Sequence, residues 1–235
     1  VKSVEKMESS EFGQKYILIF EQPIDHKDPS KGTFTQRVFL GHVHTDSASV
    51  VVAEGYGAQY AARTGYRDEI SKLYNTNNIV VEHRYFLEST PYPDTAPEAI
   101  NWEYLNAENA ANDLHNVVAA LKEIYDGKWI STGISKGGQN TMIYRAYFPN
   151  DVDISVPYVG PVCRDLVDGR HEEFIANYAG TPADREIIHN FQVELLKRKE
   201  TLFPLFESYC KANSLEFNIP TREIYDLCML EFSFA

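Results

Sequence analysis

The sequence predicts an α/β fold, with a mostly parallel sheet flanked by helices. Two compact β-branched runs, 49–53 and 78–82, are typical of strands buried on both faces of a parallel sheet. Apolar residues recur at three- and four-residue steps over 107–125, which predicts a long amphipathic helix with Asn106 as its N-cap. A third strand, 129–132, follows this helix. Such alternation of strand and helix implies right-handed crossovers and therefore parallel strands.

The N-terminal segment instead predicts an antiparallel start to the sheet. Residues 16–20 form a short apolar run, and 34–44 alternate between polar and apolar side chains. The connection over 22–32 contains the prolines and the glycine that turns favour. A short helix over 68–74 fits between the two β-branched runs.

The C-terminal part of the chain predicts helices only. The last strand is predicted over 153–160, and no β-branched run follows it. A helix is predicted over 182–201, where Thr181 supplies the N-cap and a proline occupies the first turn. We therefore expect two domains, 1–162 with the sheet and 163–235 with helices alone.

Charge and hydropathy exclude two classes of partner. Lys and Arg number 22 against 34 Asp and Glu, and the net charge of −12 would repel phosphate backbones and anionic lipids. Nucleic acid is therefore not an expected partner. No apolar run approaches the ~20 residues that span a bilayer, and the polar N-terminus has no signal-peptide core, so we expect no membrane span.

The cysteines indicate neither a zinc site nor a disulfide framework. Cys163, Cys210 and Cys228 lack the spacing of zinc ligands, and an odd number leaves at least one unpaired within the chain. Buried free thiols are favoured over a disulfide between Cys210 and Cys228. No metal ion or cofactor is expected.

One short motif carries chemistry. Gly133-Ile134-Ser135-Lys136-Gly137 is a G-x-S-x-G sequence between a predicted strand and a predicted helix. In that context the serine lies at the apex of a sharp turn with its hydroxyl projecting from the sheet, and the glycines relieve the crowding. We predict that Ser135 is a catalytic nucleophile in a nucleophile elbow, and a tight structural turn is the alternative.

An oxyanion at such a serine is held by two backbone N–H groups. Lys136 would supply the first, and its side chain is not expected to take part. The second would come from the loop 54–57, in which Tyr56 is the first choice and Gly57 the second. A simple glycine turn is the alternative for this loop.

Several segments of the chain, in the right order, are similar to known motifs. Segments 20–26, 32–38 and 82–86 resemble motifs of the serine exopeptidases that include lysosomal Pro-X carboxypeptidase and dipeptidyl peptidase II. The elbow segment 132–138, with 148–153 downstream, is most similar to the related bacterial secreted tripeptidyl aminopeptidases.

The resemblance covers residues 16 to about 165 and implies the α/β-hydrolase fold. Residues 1–162 would then be the N-terminal part of the hydrolase core. Residues 163–235 would be part of a helical cap, inside which the chain ends. The final core strands are expected to be absent from this sequence.

The catalytic triad of this family follows the order serine, acid, histidine, with the last two on strands after the cap. The resemblance therefore implies that the acid and the base lie in the missing C-terminal half of the same protein, which would act as a partner of this chain. An internal triad of Ser135 with Asp165 or Asp168 and with His171 or His189 is the alternative.

The resemblance further implies a secreted or periplasmic serine peptidase that releases di- or tripeptides from peptide N-termini through an acyl-enzyme on Ser135. Recognition of a protonated N-terminus needs a carboxylate, and Glu54 and Glu82 are candidates because both follow predicted strands. Either can equally brace a loop. His83 is expected to be structural. An esterase or lipase-like hydrolase and a non-catalytic peptide-binding fragment remain as alternative functions.

Overall fold

The computed structural model describes residues 1–165 and 167–232. The chain divides into two compact units, Val1–Val162 and Cys163–Ala235. The first unit holds the sheet and the second is helical over its described residues. In the described part of the chain, no helix is long and apolar enough to cross a membrane.

A single mixed sheet forms the centre of the first unit. Its described strands follow the spatial order β1-β2-β3-β5-β4-β6-β7. The pairs β1–β2, β2–β3 and β3–β5 are antiparallel, and the pairs β5–β4, β4–β6 and β6–β7 are parallel. The strands are β1 (Ser3–Met7), β2 (Gln14–Pro23), β3 (Thr33–His42), β4 (Ser49–Ala53), β5 (Asn77–Val81), β6 (Trp129–Ile134) and β7 (Ile154–Tyr158).

The central strands β4 and β5 are buried along their whole length. Val51 lies opposite Ile79 of β5 on one side and Ser131 of β6 on the other. Burial on both faces explains why these strands are β-branched runs without polar alternation. The predicted α/β class, its antiparallel start and its parallel continuation are confirmed.

Helices cover both faces of this sheet. Val51 belongs to a buried cluster with Val117 and Val118 of the long helix, whereas Val50 of the same strand packs in a second cluster with Ile70. Adjacent residues of a strand point to opposite faces, so the two clusters lie on opposite sides of the sheet. The helices of this unit are α1 (Glu69–Tyr74), α2 (Ala107–Lys122) and α3 (Lys136–Tyr147).

The N-cap predicted for α2 is present. The Asn106 side chain accepts a hydrogen bond from the Asn109 N–H at 2.9 Å. Short 3₁₀ helices occupy several loops: Pro29–Lys31, Gln59–Ala62, Leu87–Ser89, Pro97–Ala99 and Trp102–Tyr104.

The second unit contains four helices within its described residues. Thr181 accepts from the Asp184 N–H, and the Asp184 carboxylate accepts from the Thr181 N–H, which forms a capping box at the predicted helix start. Cys163, Cys210 and Cys228 are free thiols, as predicted, although only Cys210 is buried. The helices are α4 (Arg170–Asn177), α5 (Pro182–Lys197), α6 (Lys199–Ala212) and α7 (Thr221–Leu230).

Two elements differ from the prediction. Strand β1 was not predicted, because its polar side chains are mostly exposed and only pairing with β2 defines it. The helix predicted over 182–201 is interrupted at Arg198, where the backbone leaves helical geometry with φ −91° and ψ 13°. A one-residue break leaves no mark in a pattern that repeats every three or four residues.

Candidate active site

Ser135 lies at the turn between β6 and α3 with a backbone conformation that few non-glycine residues adopt. Its φ is 56° and its ψ is −119°, a combination that costs of order 1–3 kcal/mol and persists only where the surroundings enforce it. The Ser135 N–H donates to the Tyr158 carbonyl at 3.0 Å, and its own carbonyl accepts from Gln139 at 2.9 Å. The side chain is exposed. This is the geometry of a nucleophile elbow.

The elbow requires glycine on both sides of the serine. A Cβ on Gly133 would lie 2.4 Å from the carbonyl carbon and oxygen of Gly137. A Cβ on Gly137 would lie 2.6 Å from the Ala53 carbonyl oxygen. Because the obstructing atoms are backbone, no side-chain rotation relieves either contact. The glycines therefore allow α3 to pack against the end of β4.

The loop after β4 lies directly over this elbow. A Cβ on Gly55 would lie 2.6 Å from Lys136 Cβ and 2.9 Å from the Gly137 nitrogen. From α3, Asn140 Nδ2 donates to the Glu54 carbonyl at 2.7 Å. The loop that the sequence assigns to the oxyanion is thus held against the first turn of α3.

Three backbone donors in this region are free. Within residues 1–165 and 167–232, no protein acceptor takes the N–H groups of Tyr56, Gly57 or Lys136. Lys136 is the first residue of α3, and the first N–H groups of a helix have no partner inside it. These are the residues that the sequence predicts as oxyanion donors.

A second loop, residues 83–89 after β5, supports the first. The His83 N–H donates to the Tyr56 carbonyl at 3.1 Å. A Cβ on Gly57 would lie 2.4 Å from Leu87 Cδ1, so Leu87 fills the space that glycine leaves. Tyr85 and Leu87 both have positive φ, 68° and 49°. This concentration of uncommon backbone conformations near Ser135 is typical of functional sites.

Both carboxylate oxygens of Glu82 accept hydrogen bonds from other residues of the protein. Its side chain is fully buried and pairs with Arg37 through Nε to Oε1 at 2.8 Å and Nη2 to Oε2 at 2.7 Å. The Ala58 N–H and the Ser89 hydroxyl donate to the same carboxylate at 2.9 and 2.7 Å. Two roles were predicted for Glu82, and this geometry favours bracing of the loop over binding of the substrate's N-terminus.

Glu54 has a different environment. It is half-buried at the end of β4, and the Tyr60 hydroxyl donates to its Oε1. Burial raises the pKa of Glu54, opposed by the hydrogen bonds from Tyr60 and the Gly55 N–H and assisted by the charge of Glu82. Burial and the neighbouring carboxylate raise the pKa of Tyr60 as well, so this phenol stays a donor.

His83 is buried beside Lys136. Burial, together with the positive charge of Lys136, lowers the pKa of His83 to about 4. Its Nδ1 lies 2.8 Å from the Arg84 carbonyl oxygen, and a neutral imidazole donates there from Nδ1. This packing agrees with the structural role expected for His83.

The segments that carry the family resemblance meet around Arg84. Its guanidinium is fully buried and donates to Asp113 Oδ2 through Nε at 2.7 Å and to the Ile24 carbonyl through Nη1 at 2.8 Å. His26 Nε2 also contacts Asp113, at 2.7 Å. Hydrogen bonds between segments 20–26 and 82–86 and Asp113 of α2 therefore hold the ends of β2 and β5 against α2.

The structure does not assign an acid or a base to Ser135. No group in the described residues hydrogen-bonds to its Oγ. In the second unit, Asp168 pairs with the Arg170 guanidinium and accepts from the Arg164 N–H, and both bonds lower its pKa. His171 and His189 are exposed on α4 and α5. Among the described residues, no three His, Cys, Asp or Glu side chains group closely enough to hold a metal ion.

Comparison with known proteins decides the family. The model of the family described as PS-10 peptidase S37 matches residues 4–233. The chain belongs to this peptidase family. Membership confirms the resemblance to an exopeptidase family that the sequence motifs carry, and it agrees with the sheet order and the elbow.

Two relatives have names that describe their activity. The prolyl tri/tetrapeptidyl aminopeptidase of Streptomyces mobaraensis is 33% identical over 209 residues, which is 88% of this chain and 42% of that protein. The lysosomal Pro-X carboxypeptidase of Mus musculus is 26% identical over 151 residues, 59% of this chain and 31% of that protein. The chain thus spans less than half the length of the curated relatives that it matches.

Solved structures give a weaker likeness. The acetyl xylan esterase from Paenibacillus sp. R4 is 12% identical, with a TM-score of 0.46 over 86% of this chain and 65% of that chain. At that level the likeness bears on neither substrate nor mechanism.

Sequence reasoning missed one part of this site, the side chain of Lys136. Its ammonium lies 4.9 Å from the ring centres of both Tyr56 and Phe86. The aromatic residues are visible in the sequence, but their convergence on Lys136 depends on contacts between separate loops.

Proposed function

We propose that this chain carries the nucleophile and the oxyanion donors of a serine exopeptidase that releases di- or tripeptides from peptide N-termini. The observation that supports it most is the strained, exposed Ser135 at the elbow, with φ 56°, beside unpaired N–H groups. Family membership supplies the peptidase class, and the Streptomyces relative supplies the N-terminal direction of attack.

In the proposed reaction, Ser135 Oγ forms a bond to the scissile carbonyl carbon while a histidine removes the hydroxyl proton. The negative oxygen of the tetrahedral intermediate accepts from the Lys136 N–H and from Tyr56 or Gly57. The C–N bond then breaks, and the histidine returns the proton to the leaving amine. Water hydrolyses the resulting acyl-enzyme by the same steps.

The acid and the base of this reaction are proposed to come from the remainder of a longer protein. Support comes from the share of the Streptomyces aminopeptidase that this chain matches, 42% of its length. The α/β-hydrolase order is serine, acid, histidine, and the family resemblance implies that the last two follow the cap. A secreted or periplasmic location is proposed on the same resemblance.

The protonated N-terminus of the substrate is proposed to bind Glu54. This carboxylate is half-buried at the end of the strand beside the elbow and has one phenol as its side-chain partner. Glu82 is the weaker candidate, because four donors already occupy its oxygens.

The test uses the full-length protein and a proline-containing tripeptide anilide with a free or an acetylated N-terminus, with products identified by mass. Release of the intact tripeptide from the free form, abolished by Ser135→Ala, is the expected result. Ser3→Ala, at an exposed serine of β1, is the matched control and should retain full activity.

Two other results would redirect the proposal. Hydrolysis of acyl esters without cleavage of any peptide would identify an esterase. Equal cleavage of both anilides would remove the requirement for a free N-terminus and with it the role of Glu54.

A further inference from the structure

The side chain of Lys136 has a defined position that its backbone role does not require. Any residue except proline at this position supplies the N–H group that the elbow needs. The stem of Lys136 nevertheless crosses the loop after β4: a Cβ on Gly55 would lie 2.6 Å from Lys136 Cβ and 2.8 Å from its Cγ. The absence of a side chain at Gly55 opens this path.

The Lys136 ammonium ends beside two aromatic rings. Nζ lies 4.9 Å from the ring centre of Tyr56 and 4.9 Å from that of Phe86. The rings meet edge to face, with centres 5.4 Å apart and an interplanar angle of 84°. Both distances lie within the range in which an aromatic face attracts a cation. We call these three residues the Lys136 clamp.

No acidic side chain competes for this cation in the described residues, where no carboxylate oxygen lies within 4 Å of Lys136 Nζ. Burial lowers the pKa of Lys136, which is the expected effect of withdrawing an ammonium from water. The two rings are therefore the groups that hold the charged end of the side chain.

The clamp connects three segments of the site. Lys136 belongs to the first turn of α3, Tyr56 to the loop after β4 and Phe86 to the loop after β5. The two loops are also tied to each other, because the Tyr56 carbonyl accepts from the His83 N–H at 3.1 Å. The rings of His83 and Phe86 meet edge to face at 5.8 Å.

From this geometry we infer that the Lys136 side chain is a positioning residue, which fastens the Tyr56–Gly57 backbone donors against the elbow so that the oxyanion hole is formed before substrate binds. The inference rests on the proposed function. A donor displaced from the oxyanion weakens an interaction made in the transition state and not in the ground state, so kcat should fall while KM changes little.

The experiment compares Lys136→Met and Lys136→Arg in the full-length protein. Methionine keeps an unbranched stem over Gly55 and removes the charge, and we expect kcat on the free tripeptide anilide to fall about tenfold. Arginine restores a cation that stacks on aromatic faces, and we expect it to recover most of that loss. Lys72→Met, at an exposed lysine of α1, should leave kcat unchanged.

A second readout separates this inference from the proposed substrate. The rate at which a fluorophosphonate labels Ser135 depends on the oxyanion donors and not on peptide recognition. We expect this rate to fall in Lys136→Met by the same factor as kcat. If the wild type is labelled but cleaves no peptide, the proposed peptide substrate is wrong, and the labelling rates of the variants still test the role of Lys136. If the wild type is neither labelled nor active, both are overturned.

Phe86→Leu is a second variant, which tests the clamp independently in case Lys136→Met loses activity because it does not fold. It removes one ring of the clamp without changing Lys136, and the clamp predicts that its effect on labelling is not additive with that of Lys136→Met. A rate within twofold of the wild type in Lys136→Met, or full additivity with Phe86→Leu, would overturn the inference. So would an equal loss in Lys136→Arg and Lys136→Met.

Discussion

Arg37 and Glu82 form a bidentate ion pair inside the first unit, with Nε to Oε1 at 2.8 Å and Nη2 to Oε2 at 2.7 Å. The carboxylate also accepts from the Ala58 N–H, which lies one residue beyond the proposed oxyanion donors Tyr56 and Gly57. Through Glu82 the pair therefore links the loop 54–58, which holds the proposed oxyanion donors, to β3, while the Lys136 clamp links the same loop to α3.

The first prediction concerns this ion pair. Glu82→Gln removes the buried one of the two carboxylates that pair with Arg37, and breaking a buried pair from one side costs about 3–5 kcal/mol. Glu88→Gln is the matched control, because Glu88 also pairs with Arg37, at 2.9 Å, but its side chain is 75% exposed. An exposed pair contributes less than about 1 kcal/mol.

The measurement is the free energy of unfolding in urea for the two variants and the wild type. Equal losses in Glu82→Gln and Glu88→Gln would show that burial does not set the value of this pair. Activity at a temperature where both variants are folded would report whether the position of the proposed donors Tyr56 and Gly57 depends on Glu82.

The second prediction concerns the glycines of the elbow. In Gly133→Ala the new methyl group would lie 2.4 Å from backbone atoms of Gly137, which cannot rotate away. We expect a loss of about 3 kcal/mol or more in unfolding free energy, together with loss of activity as Ser135 shifts. Gly13→Ala is the control, because no heavy atom lies within 4 Å of a Cβ there, and its effect should stay within about 0.5 kcal/mol.

The elbow was predictable from sequence because its requirements are local. A five-residue segment contains the serine, the first proposed oxyanion donor and both glycines, and the flanking strand and helix have clear periodicities. The cap of α2 at Asn106 was predictable for the same reason, since an N-cap needs only the next three residues.

The different environments of Glu54 and Glu82 were not predictable, because both simply follow buried strands. Their distinction comes from register: Val81 lies opposite Val38 in the antiparallel pair β3–β5, which brings the neighbouring Arg37 to Glu82. These partners are separated by 45 residues in sequence. The hydrophobic periodicity of a sequence does not reveal strand register or contacts between loops. The contacts of the Lys136 side chain were not predicted for the same reason.

The third prediction separates substrate binding from bracing at Glu54. If this carboxylate binds the substrate ammonium, Glu54→Gln removes a charged hydrogen bond, and KM for the free tripeptide anilide should rise about tenfold. Preference for the free over the acetylated substrate should fall with it. Glu5→Gln, at an exposed position of β1, should change neither value.

The pH dependence of KM gives an independent check on Glu54. Because burial raises its pKa, protonation in acid should weaken binding of the ammonium at a higher pH than an ordinary glutamate would allow. The brace alternative predicts instead an unchanged KM and a lower free energy of unfolding in Glu54→Gln.

The last prediction concerns His83 and the stability of the fold in acid. The pKa of His83 is lowered to about 4 by burial first and then by the charge of Lys136. The hydrogen bond to the Arg84 carbonyl and the charge of Asp113 oppose this shift, and the charge of Arg84 adds the smallest contribution to it. An unfolded histidine titrates near ~6.5. Between these values the unfolded chain binds a proton that the folded chain does not, so folding is favoured less as the pH falls through this window.

The loss assigned to His83 is on the order of 3 kcal/mol, complete near pH 4 and absent above about pH 7. His83→Asn keeps an N–H donor for the Arg84 carbonyl and cannot be charged, so its free energy of unfolding should depend less steeply on pH over this range. His44→Gln, at an exposed histidine, should retain the slope of the wild type. A wild-type slope in His83→Asn would mean that folding does not lower the pKa of His83.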